Sequence, residues 1–201
     1  MKNETINRNG TVAALSEKEA ERLLVNPQKL VLWLLIVASV MLFAAFTSAY
    51  IVRRGEGNWQ IFDLPPMFMY TTIFIALSSI TMQWAFISAK KDQLRMQKIA
   101  LFLTLGLGVA FMIGQWVGWE QLVANNVHLV GNPSESFVYV ISGLHLFHMI
   151  GGVAFVLIVL IKTLNHGIHS KKMSTIGLCK TYWHFLGAMW IYLYIFLLLN
   201  R

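Results

Sequence analysis

The sequence predicts an all-α fold, a polytopic bundle of five membrane-spanning helices. Three observations lead there. Of 201 residues, 57% are hydrophobic and only 12% are charged, with a mean hydropathy of +0.60. Soluble domains carry about twice that charged fraction. The apolar residues fall in five uncharged stretches, at about 30–52, 67–89, 99–119, 136–161 and 181–200. Each approaches or exceeds the roughly 20 residues a helix needs to cross a bilayer. None alternates as a barrel strand must, and backbone groups in lipid have to be satisfied within the segment, so the spans are helices.

Length favours one transmembrane domain, residues 30–201, behind a polar cytoplasmic tail, residues 1–29. The tail is mixed in charge and has neither the apolar core nor the small-residue cleavage site of a signal peptide. Within it, Ser16 with Glu19 three residues on forms a capping pair for a short surface helix over 16–24.

The first loop ends in Pro65-Pro66, where a helix can start because a missing N–H costs nothing there. The third helix carries Gly106, Ala110, Gly114 and Gly118 in one i, i+4 row, a ridge that lets another helix come close. It is expected to pack inside the bundle, or against another subunit. Gln115 and Glu120 lie at that helix's outer end, placed to cap or hydrogen-bond. Asn132-Pro133 closes the loop before the fourth helix. Trp33, Trp116, Trp119 and Trp183 fall near helix ends, as an interfacial belt requires.

The basic residues fix an orientation. Counted over alternate connecting segments, the tail and the second and fourth loops hold thirteen Lys and Arg, and the other side holds three. By the positive-inside rule the N-terminus is cytoplasmic and the C-terminus outside, which requires an odd number of spans. The net charge of +7 is therefore a topology signal and an attraction to anionic lipid, not a nucleic-acid footprint. The single Cys179 excludes an internal disulfide and any multi-cysteine metal site.

Two imidazoles, His145 and His148, stand in the uncharged fourth span. At i, i+3 they share a helix face, and polar groups at membrane depth rarely face lipid. A second His-x-x-His follows at His166 and His169, and His184 opens the fifth span. A membrane metalloenzyme built on these pairs is one alternative. Depth argues against it: His148 and His184 should differ by roughly 10 Å at 1.5 Å per residue, and metal bonds are about 2 Å long. A hydrogen-bonded structural pair is the plainer expectation for His145 and His148, and a solvated loop for His166 and His169. A small transporter is a third reading, weakened because no acidic residue lies mid-helix. No nucleophile–base pair and no phosphate-cradling loop is present, so no catalytic residue and no metal ligand is assigned.

With those residues in view, the chain resembles subunit III of the haem-copper terminal oxidases, the cytochrome c oxidases and related quinol oxidases. The strongest matches are Gly143-x-His145-x-x-His148-x-x-Gly151-Gly152 and Tyr182-Trp183-His184-Phe185 followed by Trp190, in that order. Weaker ones are Met41-x-Phe43-Ala44-Ala45-Phe46 with Tyr50, Leu64-Pro65, Thr72 with Ser78-Ser79, and Gln115 with Trp119. The resemblance is to the five-helix bacterial form and runs from about Leu30 to the C-terminus.

It implies a multi-pass subunit of the bacterial cytoplasmic (inner) membrane that serves aerobic electron transport and proton translocation without an active centre of its own. The implied partners are oxidase subunits I and II, with subunit IV or a respiratory supercomplex as further candidates, together with phospholipid. Haems and copper are expected in the partner subunits and no cofactor in this chain. His145, His148, Tyr182, Trp183, His184 and Trp190 are implied as structural, lipid or subunit contacts, with Tyr182, Trp183 and His184 at the cytoplasmic face. Two positions depart from the family: Ser39 and Gly187 stand where acidic residues are frequent. Their loss implies no direct part in proton movement.

Overall fold

The computed structural model describes residues 27–166 and 174–200. The capping pair at Ser16 and Glu19, the 16–24 helix, and the side chains of His166 and His169 lie outside the described residues. Five helices account for nearly all the rest: α1 (Pro27–Gly55), α2 (Pro66–Lys90), α3 (Leu94–Ala124), α4 (Pro133–His166) and α5 (Ser174–Asn200). All five are long and apolar enough to cross a membrane.

Each helix outruns its uncharged stretch. Arg53 and Arg54 close α1, and α3 takes in Arg95 and Lys98 before its apolar run begins. The helix at Pro27 starts three residues before the expected boundary at 30, and α5 starts seven before 181. Long basic side chains reach the headgroup layer while their stems stay on the helix, so a charge does not end the backbone ladder.

The turn residues act as the sequence suggests. Pro65 and Pro66 open α2. Asn132 Oδ1 accepts from the backbone N–H and the hydroxyl of Ser134, capping α4 behind Pro133. The α2–α3 connection is short, and Asp92 takes a left-handed φ of 53° at its centre. So short a link forces α2 and α3 to lie antiparallel as neighbours.

The chain divides into two units, Met1–Val37 and Ala38–Arg201, and the packing that follows is that of the second. There α2 packs most closely on α3, and the ring is closed by α3 on α4, α4 on α5 and α5 on α2. The lower part of α1 presents one stripe, Ser39, Phe43, Thr47 and Tyr50, all buried. Thr47 shares a hydrogen bond with Tyr192 of α5 at 3.2 Å. Tyr50 donates to the carbonyl of Asn200 and meets Trp59, Phe137 and Phe196 edge-on. The ends of α1 and α5, the start of α4 and the first loop therefore share one face of the ring.

Glycine sets the closest approaches. A Cβ at Gly118 would lie 2.4 Å from the Phe68 ring, and one at Gly114 2.5 Å from Thr71. The members of the α3 row differ in their surroundings. Gly114 and Gly118 seat α2, but Gly106 meets nothing and is exposed, and Ala110 is half-buried. The reason is angular: an i, i+4 row drifts around a 3.6-residue helix, so its upper end turns away from α2. The approach to α5 comes instead at Gly108, where a Cβ would meet Trp183 at 2.7 Å.

Gly118→Ala should therefore destabilise the bundle by about 1–3 kcal/mol through overpacking on Phe68. Gly106→Ala, on an exposed helical turn, should instead raise the thermal midpoint slightly. Thermal unfolding of both variants in one detergent checks this, and equal midpoints would count against the Phe68 seat.

Candidate functional site

The functional residues gather around two buried tryptophans of α5. Trp190, fully buried, donates from its indole to Thr72 Oγ1 at 3.0 Å. Its ring meets Phe68 and Phe111 edge-on and lies 5.2 Å from the His145 ring. Four helices converge there: α2 through Phe68 and Thr72, α3 through Phe111, α4 through His145, and α5 itself. Edge-to-face aromatic pairs of this kind add roughly 0.5–1.5 kcal/mol beyond the area they bury.

Two turns toward the other end, Trp183 donates to Ser78 Oγ at 3.1 Å and is 1% exposed. Its ring fills the space left by Gly108 of α3 and Gly152 of α4. The expected interfacial belt therefore fails at Trp183, which is a core residue holding α2, α3, α4 and α5 together. Trp33 and Trp116 are exposed and Trp119 is half-buried. Trp119 reaches inward to Ser142 and Trp116 along its own helix to Glu120. Composition could not separate these cases. The usable signal was Gly108 and Gly152, small residues on the two helices that face the indole.

His145 and His148 do not bond to each other. His148 Nδ1 is 2.8 Å from the Leu144 carbonyl of its own helix, and its ring lies against Phe43. His145 is completely buried between Phe43, Phe111 and Trp190, and neither ring nitrogen finds a partner among the described residues. Tyr182 is buried and donates to the His148 carbonyl at 3.5 Å, tying α5 to α4.

His184 points elsewhere. It lines an outward groove of about 520 Å³ between α2 and α5, with Ser79, Gln83, Trp84 and Ile87. Gly152 faces Leu186 and His145 faces Trp190. In that register His148 and His184 differ by about one turn, roughly 6 Å rather than the 10 Å expected. They nonetheless lie on different faces. Among the described residues, no group of three or more His, Cys, Asp or Glu side chains converges at a metal-binding geometry.

Two further grooves face outward. One, of about 880 Å³, runs between α1 and α4 past Ala45, Ala49, Val52, Phe137 and Val140, with Arg53 and Glu56 at its mouth. These two side chains form an ion pair. The other, of about 330 Å³, is almost wholly apolar and lies between Phe43 and Ala44 of α1 and Phe185, Met189 and Tyr192 of α5. Outside the grooves the surface is greasy, with Met41, Phe102, Ile113, Trp116 and Phe147 each at least 60% exposed. A surface of that kind is made for lipid tails and for other membrane helices.

The sequence marks Gln115 as a hydrogen-bonding residue but leaves the other polar links between helices unmarked. Gln115 Nε2 donates to Thr71 Oγ1, Thr81 and Thr104 share a hydrogen bond, and Gln97 Nε2 reaches Thr163. No periodic pattern marks them, because each is one hydroxyl or amide in an apolar run.

Comparison with known proteins agrees with this architecture. The family model for cytochrome c oxidase subunit III matches residues 23–200. Subunit 3 of the cytochrome bo(3) ubiquinol oxidase of Buchnera aphidicola is 26% identical over 84% of this chain and 92% of its own. A probable cytochrome c oxidase subunit 3 of Nocardia farcinica is 28% identical over 82% of each chain. Cytochrome c oxidase subunit 3 of Thermostichus vulcanus is 25% identical over 94% of each. With the family's pattern covering all five helices, the chain belongs to the cytochrome c oxidase subunit III family: it is a multi-pass inner-membrane subunit of a bacterial haem-copper respiratory oxidase complex.

Proposed function

We propose that this chain is a non-catalytic subunit that packs on subunit I, binds phospholipid and stabilises the oxygen-reducing, proton-pumping assembly. Subunit II completes the neighbourhood, and the haems and copper sit in the partner subunits. The observation that carries this is the direction of the imidazoles. His145 faces three aromatic rings, His148 is bonded to its own helix, and His184 lines an outward groove. These donors diverge, which does not fit a shared metal or haem site in this chain. The contribution it makes is the bundle and its greasy outer faces.

The groove between α1 and α4 suits a phospholipid, with an acyl chain along Ala45, Ala49 and Val140 and the phosphate near Arg53. The count of basic residues supports a cytoplasmic N-terminal tail and, with it, a charged mouth of this groove on the outer side. The groove of Ser79, Gln83 and His184 then lies toward the cytoplasmic end, where Lys180 sits 4.1 Å over the Phe86 ring. That groove, with Ser79, Gln83 and His184 set in an otherwise apolar lining, is offered to a neighbouring subunit's helix. A second reading, subunit III of a quinol oxidase, is favoured by the likeness to the cytochrome bo(3) ubiquinol oxidase subunit. The two differ in the electron donor, which the partner subunits decide.

Purification in mild detergent through a tag on this chain should bring down haem- and copper-containing subunits. The chain released from them should carry neither metal. A stoichiometric metal that stays with the released chain would overturn the non-catalytic role. Copper in the partner that receives electrons separates cytochrome c oxidase from quinol oxidase.

Trp183→Phe should cost the bundle about 1–3 kcal/mol, from the lost hydrogen bond to Ser78 and the cavity left between Gly108 and Gly152, and lower the thermal midpoint with haem content unchanged. His184→Ala should leave the midpoint of the released chain nearly untouched while weakening its retention in the complex. The reverse pattern would place Trp183, not His184, at the subunit contact.

A further inference from the structure

Among the described residues, His145 and Gln115 are two buried polar side chains whose hydrogen-bonding capacity is incompletely used. Both are 0% exposed. Gln115 gives its Nε2 to Thr71 Oγ1 at 3.0 Å, which fixes the amide and leaves Oε1 without a partner. Both nitrogens of His145 are likewise without a partner among protein groups. A buried polar atom left unpaired loses its hydration with nothing in exchange, and three such atoms in one core would be a heavy penalty.

The register puts them together. On α3, Phe111, Gln115 and Trp119 form one i, i+4 row. Phe111 meets His145 at a ring separation of 5.9 Å, and Trp119 donates to Ser142 one turn away on α4. Gln115 stands between these two contacts, at the depth of His145. Trp190 closes the same space from α5 and touches both Phe111 and His145. The surrounding groups are neutral, and no group of three or more ionisable ligands is gathered among the described residues. A small neutral molecule that both donates and accepts fits this chemistry. A cation does not.

We propose that a water molecule is held there, donating one hydrogen bond to Gln115 Oε1 and making a second with a ring nitrogen of His145. Buried waters of this kind bond about three polar groups that the protein leaves unpaired. The second ring nitrogen is left to the aromatic walls of Phe43, Phe111 and Trp190. The result is one continuous polar chain across three helices, from the Phe68 carbonyl through Thr71 and Gln115 to the water and His145. It ties α2, α3 and α4 together at the level of Trp190, and it stands whichever oxidase the subunit serves.

A high-resolution density map of the assembled, unmodified oxidase tests the site directly. A peak at about 2.7–3.2 Å from both Gln115 Oε1 and a His145 nitrogen supports it. An empty space, or a direct bond between the two side chains, overturns it. Thermal inactivation of His145→Phe, Gln115→Leu and the double variant gives an independent reading. A shared water predicts that the double variant loses no more than the worse single one. Additive losses, each change lowering the midpoint by its own full amount, overturn it. Should a variant fail to assemble, the map of the unmodified complex still decides.

Discussion

In hydrocarbon nothing outside the protein can satisfy a polar group, and that constraint shapes this chain. The unused hydrogen bonds of a serine, threonine, tryptophan or glutamine in the span must be met by a neighbouring helix. The bundle's joints are the outcome: Thr72 with Trp190, Ser78 with Trp183, Thr71 with Gln115, Thr81 with Thr104, Gln97 with Thr163, Ser142 with Trp119 and Thr47 with Tyr192. One such bond is worth only about 0.6 kcal/mol on average in a membrane. Their collective value lies in register, because each joint is satisfied in one alignment of its helix pair and broken in the next.

Packing then follows the joints. A tryptophan that must present its N–H inward needs room for nine ring atoms, and the sequence provides it by removing side chains opposite. Gly108 and Gly152 make the slot for Trp183, and Gly114 and Gly118 let Phe68 and Thr71 of α2 close on α3. The interior is thus assembled from large flat residues seated on glycine. The exterior has no such pairing: its exposed isoleucine, methionine and phenylalanine side chains have no partner in this chain and match lipid and other helices.

Much of the fold was legible in the sequence, because a membrane span is announced by composition and needs no tertiary information. Five apolar stretches became five helices, and Pro65-Pro66 and Asn132-Pro133 opened α2 and α4. What could not be read was rotation. Hydrophobic periodicity marks a buried face when the opposite face meets water; here both faces are apolar, so the pattern that would orient a helix is erased. The row at Gly106, Ala110, Gly114 and Gly118 therefore did not show which of its members face another helix, and Trp183 passed for a residue of the membrane surface. The histidines fared similarly. Their place in the fourth span was visible, but whether His145 turned toward His148, a metal or three aromatic rings depended on rotation.

The same packing bears on the two missing carboxylates. Gly187 lies where α5 crosses α2, and a Cβ added there would stand 3.0 Å from Ser79 Oγ and 3.6 Å from Ile75. That is a tight contact, so an added side chain would need the Ser79 hydroxyl to give by a few tenths of an ångström. Ser39 sits on the buried stripe with Phe43, Thr47 and Tyr50, 3% exposed, where a glutamate's charge would need a partner at membrane depth. At both positions, then, the neutral residue suits the packing around it, because a carboxylate there would have to be seated among buried groups at membrane depth.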